Sequence, residues 1–149
     1  MPLANDELIS AIAAFRRFEE MMELYEEHKH ELIRNYSNET DTDHAIFVQR
    51  ASVYLILAIA LLYTVLEYLI DNKKMILPES ICDDLVELKP KMREFRNCVF
   101  HVQNALLSER QYAFIETPDV LRKMVNIATT IRSLMKEMAR PMLPPNPPA

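Results

Sequence analysis

The chain has 149 residues, half of them hydrophobic and a quarter charged, with a net charge of −5 and no glycine at all. Average usage would place about ten glycines in such a chain. Their absence excludes glycine-rich phosphate loops, the dinucleotide fingerprint and primed hairpin turns, each of which needs glycine's positive φ or its missing side chain. Two cysteines, Cys82 and Cys98, make no disulfide framework and no CxxC zinc pair. One domain with a buried core is expected.

Apolar spacing predicts helix almost throughout, in chain order. The first long helix spans about Asn5 to Arg34, with the stripe Leu8, Ile12, Phe15, Met22, Tyr25 and Leu32 and a run of glutamates largely off that line. Residues Asn35 to Asp43 read as a polar loop rich in capping side chains. A second long helix follows, from about Asp43 to Asp71. It contains sixteen consecutive uncharged residues, Ala51 to Leu66. That run falls short of the roughly twenty residues that span a bilayer, and a helix apolar nearly all round suits the buried centre of a bundle. The N-terminus MPLANDEL is acidic, unlike a secretory signal, so a cytoplasmic location is expected.

Pro78 is expected to open a short helix through Leu88, and Pro90 to open the next, to about Leu107. Thr117-Pro118-Asp119 reads as a cap, a first-turn proline and an acidic first turn for a last helix ending near Arg140. Residues 141–149 hold five of the nine prolines and are expected to form a disordered tail. The fold class is therefore all-α: an antiparallel bundle of about four long helices plus a short one, over residues 1–140.

Charge is unevenly spread. Residues 1–88 carry 7 Lys+Arg against 17 Asp+Glu, a net of −10, and residues 89–149 carry 10 against 5, a net of +5. An acidic whole argues against a general nucleic-acid coat. The basic half could still hold a polyanion, or pair with the acidic half of a second copy.

Candidate chemistry narrows quickly. Glu27-x-x-His30 has the spacing of a carboxylate-bundle metal ligand pair, but no second copy completes it. Neither a metal nor another cofactor is expected. Cys98 and His101, three apart, lack a third orienting group for thiol catalysis.

The helix after Pro90 is more informative. With Arg93 at zero and about 100° per residue, its apolar stripe of Met92, Phe95, Val99, Val102 and Leu106 spans about 180° to 260°. Arg96, Phe100, Asn104, Asn97 and His101 all fall within about 80° of Arg93, on the opposite face, with Leu107 among them. Solvation does not account for Phe100 and Leu107 there, which suit a partner surface, most economically a second copy. Arginine and histidine together suit RNA cleavage without metal. An imidazole takes the 2′-hydroxyl proton, and a guanidinium grips phosphate oxygens as charge builds. A two-fold dimer supplies the second histidine.

The segment Arg96-Asn97-Cys98-Val99-Phe100-His101 resembles the Arg-Asn-x-x-x-His signature of the HEPN superfamily, late in an all-helical domain of about this length. The resemblance implies a dimerising helical bundle. It further implies a metal-independent endoribonuclease of the kind found in toxin-antitoxin and antiphage defence systems, with one composite site at the dimer interface. Arg96 and His101 are then catalytic, and Asn97 is the polar residue beside them. Arg93 and Asn104 extend the RNA contact, Phe100 and Leu107 belong to the dimer interface, and an antitoxin or regulatory protein is a further expected partner. Many HEPN toxins that pair with a nucleotidyltransferase antitoxin carry a tyrosine two residues after the histidine. Here that residue is Gln103, so control by that modification is not expected. The alternative is a non-catalytic HEPN-like dimer acting as a binding or adaptor module. A weaker third reading is a membrane-associated protein anchored by residues 51–66.

Overall fold

The computed structural model describes residues 5–35, 41–71, 76–99, 114 and 117–142. Every regular element among them is helical: α1 (Asn5–Asn35), α2 (Asp41–Leu66) continuing into a π-helical turn (Glu67–Asp71), α3 (Glu79–Val99), and α4 (Val120–Ala139) with a 3₁₀ turn (Arg140–Met142). The all-α helical bundle read from the apolar spacing is the fold observed.

Helix α1 buries Leu8, Ala11, Phe15 and Phe18, spaced three, four and three, and so presents one stripe to the core. Ile12, Met22 and Tyr25 pack against the edge of that core. Phe18, absent from the expected stripe, is buried and stacks at 5.5 Å on Phe15. Asp6 and Glu7 in the first turn and Arg34 in the last complement the helix dipole.

Helix α2 is the centre of the bundle. Ala58, Ile59, Leu62, Val65 and Leu66 are almost completely buried, and burial continues at Leu69 in the π turn. The segment Arg50–Ile70 is long and apolar enough to cross a membrane, five residues beyond the sixteen counted from the uncharged run. Most of its buried side chains belong to the same core cluster as Phe15, Met92 and Ile127, while Val53 and Leu57 are exposed, so packing within the bundle accounts for part of its apolar character. Helices α1 and α2 run antiparallel. Asp6 and Ser10 border the same hollow as Thr64 and Tyr68, while His28 farther along α1 meets Tyr54 with ring centroids 4.9 Å apart.

In place of the expected short helix through Leu88 and a separate helix opened by Pro90, there is one helix, α3, with Pro90 in its interior. Proline removes a hydrogen bond to the carbonyl four residues back and crowds it. That carbonyl belongs to Val86, whose residue is 77% exposed, and Pro90 is itself exposed. The defect therefore lies on the wet side, where water can serve the freed oxygen. On the dry side, Ile81, Leu85, Leu88, Met92 and Phe95 form an unbroken buried stripe across the proline. Burial of that stripe outweighs the local preference of the proline.

Helix α4 buries Val120, Met124, Ile127, Ala128, Ile131 and Met135. Its start also departs from expectation. The N-cap residue is Asp119, left-handed at φ 57° and ψ 22°, and its side chain makes no capping hydrogen bond. Pro118 precedes the helix instead of entering its first turn. Two backbone bonds form the turn: the amide of Thr117 donates to Phe114 O and that of Val120 donates to Thr117 O. Thr117 is buried, and its hydroxyl accepts from Lys91 Nζ at 3.4 Å. Helix α4 runs antiparallel to α1: Met124 and Ala128 face Phe18 and Met22, while Met135 and Ala139 face Ile12 and Phe15. Between those two hollows Arg132 Nε donates to Glu19 Oε1. The expected proline-rich tail lies outside the described residues from 143 onward.

Candidate functional site

The C-terminal part of α3 lies against the end of α2, and their meeting point carries Arg96. Phe95 and Met92 are fully buried beside it and hold α3 in register, with the Phe95 ring tilted against Phe114 at 5.3 Å. With that stripe buried, Arg96 is left on the flank of α3 nearest α2. Its position on the helical wheel lies only about 40° beyond the edge of the apolar stripe. Grouping it with Arg93 by sequence set it on the face opposite the core. In the structure its side chain is 28% exposed and lies along the α2 surface. A long side chain with an apolar stem reaches along a hydrophobic surface in this way.

Three groups hold the guanidinium. Nη1 donates to Glu67 Oε2 at 2.9 Å, and Nη2 donates to the Asn97 side-chain oxygen at 3.4 Å. The guanidinium carbon stands 4.6 Å from the ring centroid of Tyr63, one turn before Glu67 on α2. Tyr63 is buried and so offers a fixed π surface to the cation. Glu67, 43% exposed at its side chain, is the first residue of the π-helical turn. Arg93 and Asn97 are exposed on α3, so two arginines and an asparagine sit within one turn.

Phe100, His101, Asn104 and Leu107 lie outside the described residues, as do Val102 and Leu106 of the expected stripe. Of the sequence-derived site residues, the structure thus brings Arg96 and Asn97 into contact and sets Arg93 on the same helix end.

Glu67 and Tyr63 were missed by sequence reasoning. A signal for Glu67 was present: it is the only charged residue between Arg50 and Asp71. A carboxylate at the end of a core helix carries a desolvation cost unless a cation meets it. Tyr63 gave no signal, because an aromatic in an apolar helix reads as core.

Among the other titratable groups, His28 and Glu87 have local partners. His28 Nδ1 lies 2.8 Å from Leu24 O, one turn back on α1. Glu27 and His30 are exposed, and no group of three or more potential metal ligands occurs among the described residues. Glu87 on α3 is flanked by Lys123 of α4 and by Lys91. The Lys123 hydrogen bond leads in holding its carboxyl below the ordinary range.

No protein-family model, curated protein or solved structure matches the chain.

Proposed function

We propose that the chain is a HEPN-like, metal-independent endoribonuclease, working as a homodimer in the cytoplasm, in a toxin-antitoxin or antiphage defence setting. What carries the reading is the setting of Arg96. A permanently charged guanidinium, fixed on a buried tyrosine, stands beside Asn97 at the start of the Arg-Asn-x-x-x-His segment. A guanidinium matches two phosphate oxygens at once, and a pre-positioned cation stabilises the charge that develops on them.

In this mechanism the ribose 2′-oxygen attacks phosphorus as its proton passes to His101. The bond from phosphorus to the 5′-oxygen breaks, and His101 of the partner subunit gives that oxygen its proton. The products are a 2′,3′-cyclic phosphate and a free 5′-hydroxyl. Arg96 binds the phosphate, Asn97 steadies Arg96, and Arg93 with Asn104 extends the contact along the strand. Phe100 and Leu107 pack between protomers. Arg50–Ile70 is read as a core helix and not as an anchor.

The test is cleavage of labelled RNA in EDTA. Wild type cuts and leaves cyclic phosphate ends, whereas a substrate with 2′-deoxyribose at the cleaved position resists. His101→Ala and Arg96→Ala each lower the rate by about 10²–10⁴ while keeping the helical circular dichroism. Cleavage that needs a divalent metal, or that persists in the double variant, overturns the reading.

One observation favours the alternative of a non-catalytic HEPN-like binding module: Nη1 of Arg96 is already engaged by Glu67. Such a module binds its partner equally well with His101→Ala and cuts nothing.

A further inference from the structure

The engagement of Arg96 has a specific form. Both terminal nitrogens of its guanidinium are in use, Nη1 on a carboxylate oxygen and Nη2 on an amide oxygen, and one face lies over Tyr63. A phosphodiester binds a guanidinium through the same outward-pointing N–H groups that a carboxylate uses. Glu67 presents only one oxygen, Oε2, on a side chain that is 43% exposed, so the pair is open to exchange with solvent. Exposed pairs of this kind contribute little to folding. The carboxylate also starts a π-helical turn, an element that often occurs where a helix re-aims side chains at a functional site.

We propose that Glu67 is a built-in anion that occupies Arg96 in the place of a phosphodiester and is displaced when RNA binds. The proposal rests on reading Arg96 as a phosphate-binding group and adds a residue that sets the affinity of that site. Glu67 acts twice against the ligand. It takes an N–H that the phosphate needs, and its negative charge stands a few ångströms from where the phosphate arrives. Asn97 and Tyr63 keep the guanidinium in position when Glu67 swings away, so displacement leaves Arg96 aligned.

The experiment compares wild type with Glu67→Gln, both as the full chain, by fluorescence anisotropy with a 2′-O-methyl RNA oligonucleotide. That RNA lacks the free 2′-hydroxyl and cannot be cut. Glutamine keeps the shape and one hydrogen bond but removes the charge. Glu67→Gln is expected to bind about five- to tenfold more tightly, about 1.0–1.4 kcal/mol. The gain disappears when Arg96→Gln is added. A merely structural role for Glu67 predicts the reverse, weaker binding and a lower melting temperature for Glu67→Gln.

Cleavage of ordinary RNA by wild type is assayed in parallel and separates the two claims. Wild type that cuts, with Glu67→Gln binding no more tightly, overturns the gate and leaves the ribonuclease. Tighter binding by Glu67→Gln without cleavage in any variant supports the gate and overturns the ribonuclease. No binding by either protein overturns both.

Discussion

Replacing Pro90 with alanine tests why α3 is one helix. A proline inside a helix is about 3 kcal/mol less favourable than alanine, chiefly through the lost N–H and the clash with the carbonyl four residues earlier. Here that carbonyl belongs to Val86, on the exposed side of α3, where water replaces part of the missing bond. Pro90 is itself exposed, so shortening it opens no cavity. The figure of about 3 kcal/mol already includes the greater freedom of the unfolded alanine chain, about 0.4–1 kcal/mol. The expected net stabilisation of Pro90→Ala is about 1–2 kcal/mol. A domain of this size shifts about 2–4 °C per kcal/mol, so the melting temperature rises by about 2–8 °C. Circular dichroism melts read the shift, and urea titrations check that the denaturant slope is unchanged. Had Pro90 stood at the first position of a separate helix, its fixed φ would favour that start, and alanine would be neutral or destabilising. An unchanged or lower midpoint therefore refutes the continuous α3.

Two further outcomes follow from α4 and its junction with α3. Asp119 holds a left-handed backbone, so Asp119→Val is expected to cost about 1–2 kcal/mol and Asp119→Asn less than about 0.5 kcal/mol, read by chemical denaturation. Equal effects from the two would show that the conformation is not strained. Glu87 has a carboxyl lowered first by its hydrogen bond to Lys123, so its contribution is present above the ordinary glutamate range and is lost as pH falls through the lowered value. Melting curves from pH 7 down to pH 3 should therefore show a smaller acid-induced loss in Glu87→Gln than in wild type; identical losses contradict that assignment.

Most of the fold was legible because the core of a helical bundle is written as period. Leu8 and Phe15, then Met92 and Phe95, stand at helical spacing and are buried as that spacing requires. The errors fall where two local signals compete. Pro78 and Pro90 both carry the mark of a helix start, and nothing local distinguishes them. Only the stripe from Ile81 to Phe95, continuous across Pro90, shows that the second is interior. At Asp119 the capping composition was read correctly as a helix start. Its details failed because a left-handed backbone replaced the side-chain cap.

The candidate site divides in the same way. Arg96 and Asn97 were chosen from spacing along one helix, and neighbours on one helix are fixed by its pitch. Glu67 and Tyr63 stand 29 and 33 positions before Arg96, on another element, and no periodicity links them to it. The sequence by itself determined that this chain is helical and that no glycine loop can bring its backbone up to a phosphate. The reason is that helix geometry and backbone freedom are local properties. Tertiary structure alone decided that Glu67 and Tyr63 meet Arg96, because a contact between helices depends on how both pack against the core, and packing is a property of the whole chain.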